Sequence, residues 1–348
     1  MLSKIFGFLY HKIFVNIVIS RSKIDVYIQL CDSKDVVDEV HEDFNTLTLN
    51  QEMYDFIKLY VDESPYYYIS FLDTSVSQGA VPTCSYNDMS IFYDVSSSKY
   101  MCYEDKWAYY TSELDLNSLQ KIYKKIGIDF VFSPFLILTK FFKEKIENNL
   151  AMFLLIDDRA VSLMIFDNSE LLYADYIDIE NKKDFDGIST NDEELDLEED
   201  LDLEEDIDFN EDIDLDNLEA IEEMGSFDDL GDIEDLDSFE EIEEFSDVKE
   251  IEKKIDVKEQ EKNLIENEGK LNENYQRFLF VQSSVSSFYK DNKYKSKFIE
   301  SVYIADGVNV SSDLKRYLEE EMFLSVYIRH IDLAVEVCEI AKVELNEV

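Results

Sequence analysis

The sequence predicts an α/β protein with a duplicated body that is interrupted by a long acidic insertion. Strand-like and helix-like patterns alternate in both halves, and each half opens with a β-hairpin pattern. The charge is uneven as well: residues 184–250 contain 33 acidic residues and one lysine within a chain of net charge −48. The other 281 residues therefore carry a net charge of only −16, which is compatible with an ordinary folded core.

The first half begins with strands that are rich in β-branched residues and alternate apolar with polar side chains. The strands predicted there cover residues 14–20, 24–30, 36–40 and 66–72. A helix is predicted over residues 50–60 with Asn50 as its N-cap. Residues 75–88 contain glycine, proline and asparagine and are expected to form a surface connection.

A strand–helix–strand–helix pattern leads from the first half to the second. The predicted elements are a strand over 107–112, a helix over 117–126, a strand over 128–132 and a helix over 133–148. Asn117 is expected to cap the first of these helices, Gly127 to end it, and Ser133 followed by Pro134 to open the second.

The hairpin pattern then recurs in the second half. Strands are predicted over 152–156, 161–166 and 171–179, and after the insertion over 298–304 and 325–328. Asp157 to Arg159 and Asp306 to Gly307 are predicted turns. Helices are predicted over 250–290, 311–322 and 331–346, the second of which is capped by Ser311.

The insertion contains a tandem hexapeptide, since Leu195 to Asp200 is repeated identically at Leu201 to Asp206. Its charge density opposes burial in a core, so the segment is expected to be disordered. It is either a solvated loop or a docking segment for a basic partner. A calcium site is a weaker interpretation, because the central glycine and the glutamate spacing of an EF-hand are missing.

Composition also limits the classes of function. The acidic field disfavours direct binding to nucleic acid and to anionic lipid and favours basic protein partners. No apolar run reaches the roughly 18 residues that span a bilayer, and the N-terminus lacks the features of a signal peptide. The four cysteines are expected to be buried thiols in a reducing cytoplasm, and the three isolated histidines predict no catalytic or metal site.

The order of elements resembles that of the actin-like assembly proteins of type IV pilus and type II secretion machines, the PilM and GspL type. The segments that carry the resemblance are 16–25, 156–166, 168–177, 301–310 and the bridge over 107–141. No single motif is specific, but the ordered set covers most of the chain outside the insertion. The resemblance implies a two-lobed actin-like fold in which a ribonuclease-H-like unit is duplicated. The first lobe with its inter-lobe helix would be 1–150, the second lobe 151–183 and 251–348, and the disordered acidic insertion 184–250.

In that family, glycine turns bind the phosphates of a nucleotide and an aspartate holds hydrated magnesium. Here Val18 and Ser20 stand where the family pattern has aspartate and glycine, and Arg159 stands in the glycine position of the second turn. If ATP and magnesium are bound, the resemblance assigns their contacts to Ser20, Arg21, Ser22, Lys23, Asp157, Arg159, Asp306 and Gly307.

With these departures, the resemblance implies a scaffold without catalytic residues or cofactor. It would lie at the cytoplasmic face of the inner membrane, peripherally, and link an assembly or secretion ATPase to inner-membrane subunits of a pilus, secretion or DNA-uptake machine. A homodimer is compatible with this role. Two alternatives stay open: an ATP-binding actin-like protein of the same machinery, and an acidic interaction module without the actin-like fold.

Overall fold

The computed structural model describes residues 10–32, 35–179, 273–310 and 312–347. All of them belong to one compact unit. The predicted acidic insertion, the first part of the helix predicted over 250–290 and the cap predicted at Ser311 lie outside the described residues.

The described strands are β1 Lys12–Ile19, β2 Ile24–Asp32, β3 Asp35–Phe44, β4 Tyr67–Leu72, β5 Gln78–Val81, β6 Ser98–Tyr103, β7 Trp107–Ser112, β8 Phe130–Phe132, β9 Leu150–Ile156, β10 Ala160–Asp167, β11 Glu170–Asp178, β12 Ser301–Asp306 and β13 Ser325–His330. The described helices are α1 Gln51–Val61, α2 Tyr86–Met89, α3 Glu113–Ile122, α4 Pro134–Phe141, α5 Lys143–Ile146, α6 over 273–290, α7 Ser312–Glu320 and α8 Leu333–Glu347.

Two five-stranded sheets share one topology. The first has the order β3-β2-β1-β4-β8 and the second the order β11-β10-β9-β12-β13. In each, the first three strands along the chain form an antiparallel meander and the last two add in parallel beside the first. This duplication of a ribonuclease-H-like unit confirms the predicted two-lobed actin-like fold. It also rules out the alternative in which the chain lacks that fold.

Two helices join the sheets by crossing between them. Helix α4 follows the first sheet in sequence but packs against β9 and β10 of the second, while α8 follows the second sheet and packs against β1, β2 and β4 of the first. Their apolar faces share one core with both sheets, which includes Phe14, Phe153 and Phe166. Because burial of each such side chain stabilises the fold by roughly 1.5–3 kcal/mol, this core holds the two sheets together.

A third sheet, of order β5-β7-β6, is inserted between β4 and α3. It corrects two predictions. Residues 75–88 include strand β5 and helix α2 and are not only a surface connection. Cys84 and Cys102 form a disulfide across this region with Cα atoms 5.4 Å apart, so only Cys31 and Cys338 are buried free thiols.

Most predicted elements are confirmed with small changes at their ends. Asn50 Oδ1 accepts a hydrogen bond from Met53 N at 2.8 Å and caps α1 as predicted. The cap of α3 is Ser112, whose Oγ accepts from Asp115 N at 3.2 Å, so the prediction of Asn117 was wrong. The helix predicted over 133–148 is interrupted at Phe142, between α4 and α5. Among the described residues, no helix is both long and apolar enough to cross a membrane.

Candidate functional site

Three turns meet at one end of the two main sheets. The turn after β1 covers Ser20 to Lys23, and the turn after β9 begins at Asp157. The third turn follows β12, which lies beside β9, and its Gly307 N–H donates to Ile156 O at 2.9 Å. The duplicated topology therefore brings together the three segments that the sequence singled out.

The two hairpin turns share one backbone hydrogen bond, from the N–H of the first residue to the carbonyl of the fourth. Ser20 N donates to Lys23 O at 2.9 Å, and Asp157 N donates to Ala160 O at 3.1 Å. In the second turn, Asp157 Oδ1 also accepts from Arg159 N at 2.7 Å and from Ala160 N at 2.6 Å. Burial raises the pKa of Asp157 to about 6, although these two backbone donors oppose the shift. The Asp157 side chain therefore accepts two backbone N–H groups of its own turn, and its burial disfavours the ionised form.

The first and second turns contact each other directly. The backbone N–H of Arg21 donates to Asp158 Oδ2 at 3.0 Å across 137 residues of sequence. A backbone N–H of a hairpin turn is the kind of donor that binds a phosphate oxygen in phosphate-binding turns. Here the side chain of the opposite turn supplies the anionic oxygen, and it belongs to the protein itself.

A chain of charged side chains continues from this contact. Arg21 Nη1 lies 2.5 Å from Glu273 Oε1 at the start of α6, and Glu273 Oε2 lies 3.3 Å from Arg277 Nη2. Arg277 also donates to Asn274 Oδ1 at 2.9 Å and is only 4% exposed. Burial lowers the pKa of Arg277, and the carboxylate of Glu273 opposes that shift. These partners compensate the cost of a buried guanidinium.

Arg159, in the glycine position of the second turn, points toward the end of β11. Its Nη2 lies 3.7 Å from Asp178 Oδ2, and its carbonyl accepts from Ile179 N at 2.7 Å. A glycine at this position would leave room for close approach of a ligand to the backbone. The arginine side chain removes that advantage.

The third turn is closed by its own aspartate. Asp306 Oδ1 accepts from Val308 N at 3.0 Å and Oδ2 accepts from Val310 N at 2.9 Å. A Cβ at Gly307 would lie 3.1 Å from Ile156 O, which is tighter than ordinary van der Waals contact. The contact between two backbone segments therefore accounts for this glycine.

A cleft of about 490 Å³ adjoins the three turns. It is lined by four carboxylates, those of Asp25, Asp157, Asp158 and Asp332, and by the basic groups of Lys23 and His330. The Lys23 ammonium is hydrogen-bonded to Asp43 at 2.7 Å, which raises its pKa and neutralises its charge locally. A polyphosphate would enter a cleft of the same sign as itself, and like charges about 4 Å apart repel by roughly 4 kcal/mol near a protein surface.

The predicted site residues do not all lie in one cavity of the structure. Ser20, Lys23, Asp157 and Gly307 line the cleft. Arg21 and Arg159 line a second cavity of about 350 Å³. Ser22 is exposed and lines neither cavity, and the Asp306 carboxylate is occupied by its own turn.

Sequence reasoning missed Asp158, Glu273 and Arg277. The Asp157-Asp158 doublet was a visible signal for the first of them, and the spacing of four residues on a helix was a signal for the other two. Within the described ranges, no group of three or more metal-ligating side chains is arranged to hold a metal ion.

Comparisons with known proteins place the chain among domains whose activity has not been assigned. A family model described as a domain of unknown function, DUF8341, matches residues 152–346, and a second, DUF8569, matches residues 10–139. A comparison with curated protein sequences found no match.

Several solved structures are similar to the chain. A Bacteroides thetaiotaomicron protein with an actin-like ATPase fold and unknown function is 10% identical, with 94% of this chain and 95% of that chain covered and a TM-score of 0.43. The PilM-PilN type IV pilus biogenesis complex gives 12% identity, 94% coverage of both chains and a TM-score of 0.43. Component A of the Acidaminococcus fermentans (R)-2-hydroxyglutaryl-CoA dehydratase gives 9% identity, 94% and 95% coverage and a TM-score of 0.34.

Proposed function

The chain belongs to the DUF8341 family, and we propose that it is a non-catalytic actin-like scaffold of a type IV pilus, type II secretion or DNA-uptake machine. It would lie in the cytoplasm at the inner membrane and link an assembly ATPase to membrane-embedded subunits. The order of its elements supports the choice of machinery, and the geometry of its three turns supports a role without nucleotide chemistry.

One observation carries the non-catalytic part of the proposal. The Asp158 carboxylate accepts the backbone N–H of Arg21, which is the group that a phosphate-binding turn would offer to a nucleotide. A nucleotide would have to displace this carboxylate. The ion pair of Arg21 with Glu273 would have to be broken as well if its guanidinium were to bind phosphate.

The residues present do not fit ATP with magnesium. Asp157, the aspartate that the resemblance assigns to the metal, accepts two backbone N–H groups within its own turn. The adjoining cleft carries four carboxylates. In this proposal the turns lie where the nucleotide-binding turns of the fold lie. Their backbone N–H groups, however, donate to carboxylates of the protein and not to a ligand.

Thermal unfolding of the full chain with and without Mg-ATP tests this part. A ligand present at a hundred times its Kd stabilises a protein by about 2.7 kcal/mol, which would raise the Tm by several degrees. We expect no saturable change up to millimolar Mg-ATP. A saturable rise in Tm that disappears in Asp157→Ala would instead establish the ATP-binding alternative.

The scaffold part is tested separately, by the partners of the chain. Affinity purification of the tagged full chain from its own cells, followed by mass spectrometry, should recover a pilus- or secretion-type ATPase together with a membrane-anchored assembly subunit. Recovery of neither class would contradict the scaffold role, whatever the result with Mg-ATP. Recovery of the tagged chain with an untagged copy would indicate a homodimer.

A further inference from the structure

Strand β13 differs from the other edge strands of the two main sheets. Strand β3 has five acidic residues, β8 has only three residues, and β11 contacts β5 of the third sheet. These features protect sheet edges against pairing with another strand. Strand β13 has six residues, none of them acidic, and all except Val326 are exposed. Among the described strands it pairs only with β12, so one of its edges is open.

The backbone of β13 has hydrogen-bonding groups that point to this open edge. The N–H of Ser325 donates to Glu300 O at 2.8 Å on the side of β12. The N–H of Ile331, just after the strand, donates to Asp306 O at 3.0 Å on the same side. Because successive N–H groups of a strand point to opposite edges, those of the even-numbered residues of β13 point away from β12. A further strand at this edge would be placed to accept them.

Aromatic rings cross the second sheet and end at the same edge. Phe153 on β9, Tyr303 on β12 and Tyr327 on β13 are register partners. Their rings stack in a row with centroid separations of 5.4 and 5.0 Å, close to the spacing of neighbouring strands. Phe153 is buried and Tyr327 is 53% exposed, so the row runs from the core to the surface. An apolar side chain on a further strand would continue the row and cover Tyr327.

Four cations surround the end of the row. They line a groove of about 690 Å³ together with Tyr303 and Tyr327, and they are Lys140, Lys143, Lys145 and Arg329. Within the part of the chain that the structure describes, none of the four forms a salt bridge. One acidic residue, Glu144, lines the same groove. The groove is therefore a basic and aromatic surface on a chain whose net charge is −48.

We propose that this groove binds an extended, acidic segment of a separate protein, which adds a strand to the second sheet at the open edge of β13. Backbone hydrogen bonds to the edge supply affinity, and the alternating side chains of the segment supply specificity. On the side that faces the groove, apolar side chains cover Tyr327 and Tyr303, and carboxylates pair with the four cations. Binding of this kind does not depend on the machinery proposed above.

Charge and backbone chemistry favour this occupant over others. A second copy paired through its own β13 would bring four more cations to the groove, and like charges about 4 Å apart repel by roughly 4 kcal/mol near a protein surface. A basic segment would be repelled in the same way. A nucleic acid has the right sign of charge but lacks the peptide groups that pair with a strand edge. The acidic residues elsewhere in the chain are screened beyond about 8 Å at physiological salt, so the four cations dominate locally.

Fluorescence anisotropy of a labelled peptide with the full chain tests the proposal. The probe is a peptide of about eight residues, comparable in length to β13, with phenylalanine and glutamate at alternate positions on one side and serine on the other. We expect saturable binding that weakens as the salt concentration rises. A peptide with lysine in place of each glutamate is the control and should not bind.

Two N-methylated forms of the peptide test strand pairing. One form carries methyl groups on the amides that point to one edge of the extended peptide, and the other form carries them on the opposite set. Only one edge of the peptide pairs with β13. One form should therefore bind within about twofold of the parent peptide, whereas the other should bind at least about tenfold more weakly, because several backbone hydrogen bonds are lost.

Substitution at Ile328 locates the peptide at the open edge. Ile328→Pro removes an N–H that points away from β12, which edge strands tolerate. Ile328→Thr keeps this N–H and is the matched control. Binding should fall about tenfold in the proline variant and by less than about threefold in the threonine variant. The Tm of each variant, measured by scanning fluorimetry, shows whether it is folded, and the methylated peptides test the edge without any substitution.

Substitution of the lysines tests the charge of the groove. Lys143→Gln with Lys145→Gln should weaken binding about fivefold, since an exposed ion pair contributes up to about 1 kcal/mol. Lys58→Gln with Lys124→Gln removes the same charge from exposed positions on α1 and after α3 and should leave binding unchanged.

Four results would overturn the proposal. These are no saturable binding of the phenylalanine–glutamate peptide, equal affinity of the two methylated forms, an equal effect of the two lysine pairs, and a dimer in sedimentation that becomes a monomer in Ile328→Pro. The last result would show that the edge pairs with a second copy of the chain.

Discussion

The contact between the two hairpin turns makes a prediction for Asp158→Ala. The substitution removes the acceptor of the Arg21 N–H, which lies 3.0 Å from Asp158 Oδ2. A hydrogen bond to a charged group contributes about 1.5–3 kcal/mol, and because Asp158 is partly exposed we take the lower value, about 1.5 kcal/mol. With roughly 250 structured residues, the entropy of unfolding is about 0.5 kcal/mol per degree, so the Tm should fall by about 3 °C.

Asp158→Asn separates this hydrogen bond from the charge. Both substitutions relieve repulsion between Asp158 and Asp157, but the amide oxygen of asparagine can still accept from the Arg21 N–H. We therefore expect the asparagine variant to lose less than about 1 °C. Glu63→Ala controls for the loss of one negative charge at an exposed position.

Differential scanning fluorimetry and urea unfolding, both at pH 7.5, would measure these differences. An unchanged urea m-value would show that the substitution alters stability rather than the extent of unfolding. If Asp158→Ala were as stable as Asp158→Asn or as Glu63→Ala, the hydrogen bond between the Arg21 N–H and Asp158 would not stabilise the folded protein.

Further predictions concern the site, the disulfide and the insertion. Since burial raises the pKa of Asp157 to about 6 from an unfolded value near 4, protonation favours the folded state, and the associated stability is lost as the pH rises through 6. Asp157→Asn should therefore be more stable than the wild type at pH 7.5, by on the order of 1 kcal/mol, with a smaller difference at pH 5; an equal difference at both pH values would contradict the assignment. The disulfide predicts that alkylation of the denatured, unreduced chain labels two cysteines, Cys31 and Cys338, whereas labelling of four would contradict the bond. Its reduction should destabilise the third sheet by about 3 kcal/mol, measured by hydrogen exchange with and without reductant. Deletion of residues 190–246 should leave a body that melts cooperatively, and loss of cooperative melting in circular dichroism would contradict the separation of body and insertion.

The sequence predicted the two main sheets because their strands carry strong local patterns. Strands β1, β9 and β10 are apolar and rich in β-branched or large aliphatic residues, and they are buried almost throughout. Strand β6 was missed because its apolar and aromatic residues, 100–103, are consecutive and do not alternate with polar residues, and because the strand is mostly exposed. The repeat of the hairpin pattern identified the duplication without any long-range information.

Contacts between distant residues explain what was missed. Cys84 and Cys102 are 18 residues apart, without the short spacing that marks a cysteine pair in sequence. In the site, each turn was visible locally, but the contact of Arg21 with Asp158 depends on how the two sheets face each other. The cap of α3 was misplaced for a different reason, because Ser112 and Asn117 are both good cap residues and only packing decides between them.

The three turns differ from phosphate-binding turns in how their backbone N–H groups are satisfied. From sequence, Arg159 in a glycine position indicated only the loss of a small residue. The structure adds that Asp157, Asp158 and Asp306 all accept backbone N–H groups of the turns themselves. Three carboxylates therefore satisfy donors that a phosphate would otherwise meet.

Isothermal titration of the full chain with Mg-ATP is the most direct test of the claim that these turns now hold the protein together rather than bind a nucleotide. The account predicts no heat of binding at micromolar to millimolar ATP in the wild type. Binding with a Kd in the micromolar range that is lost in Asp157→Ala would contradict the account and would establish a working nucleotide site.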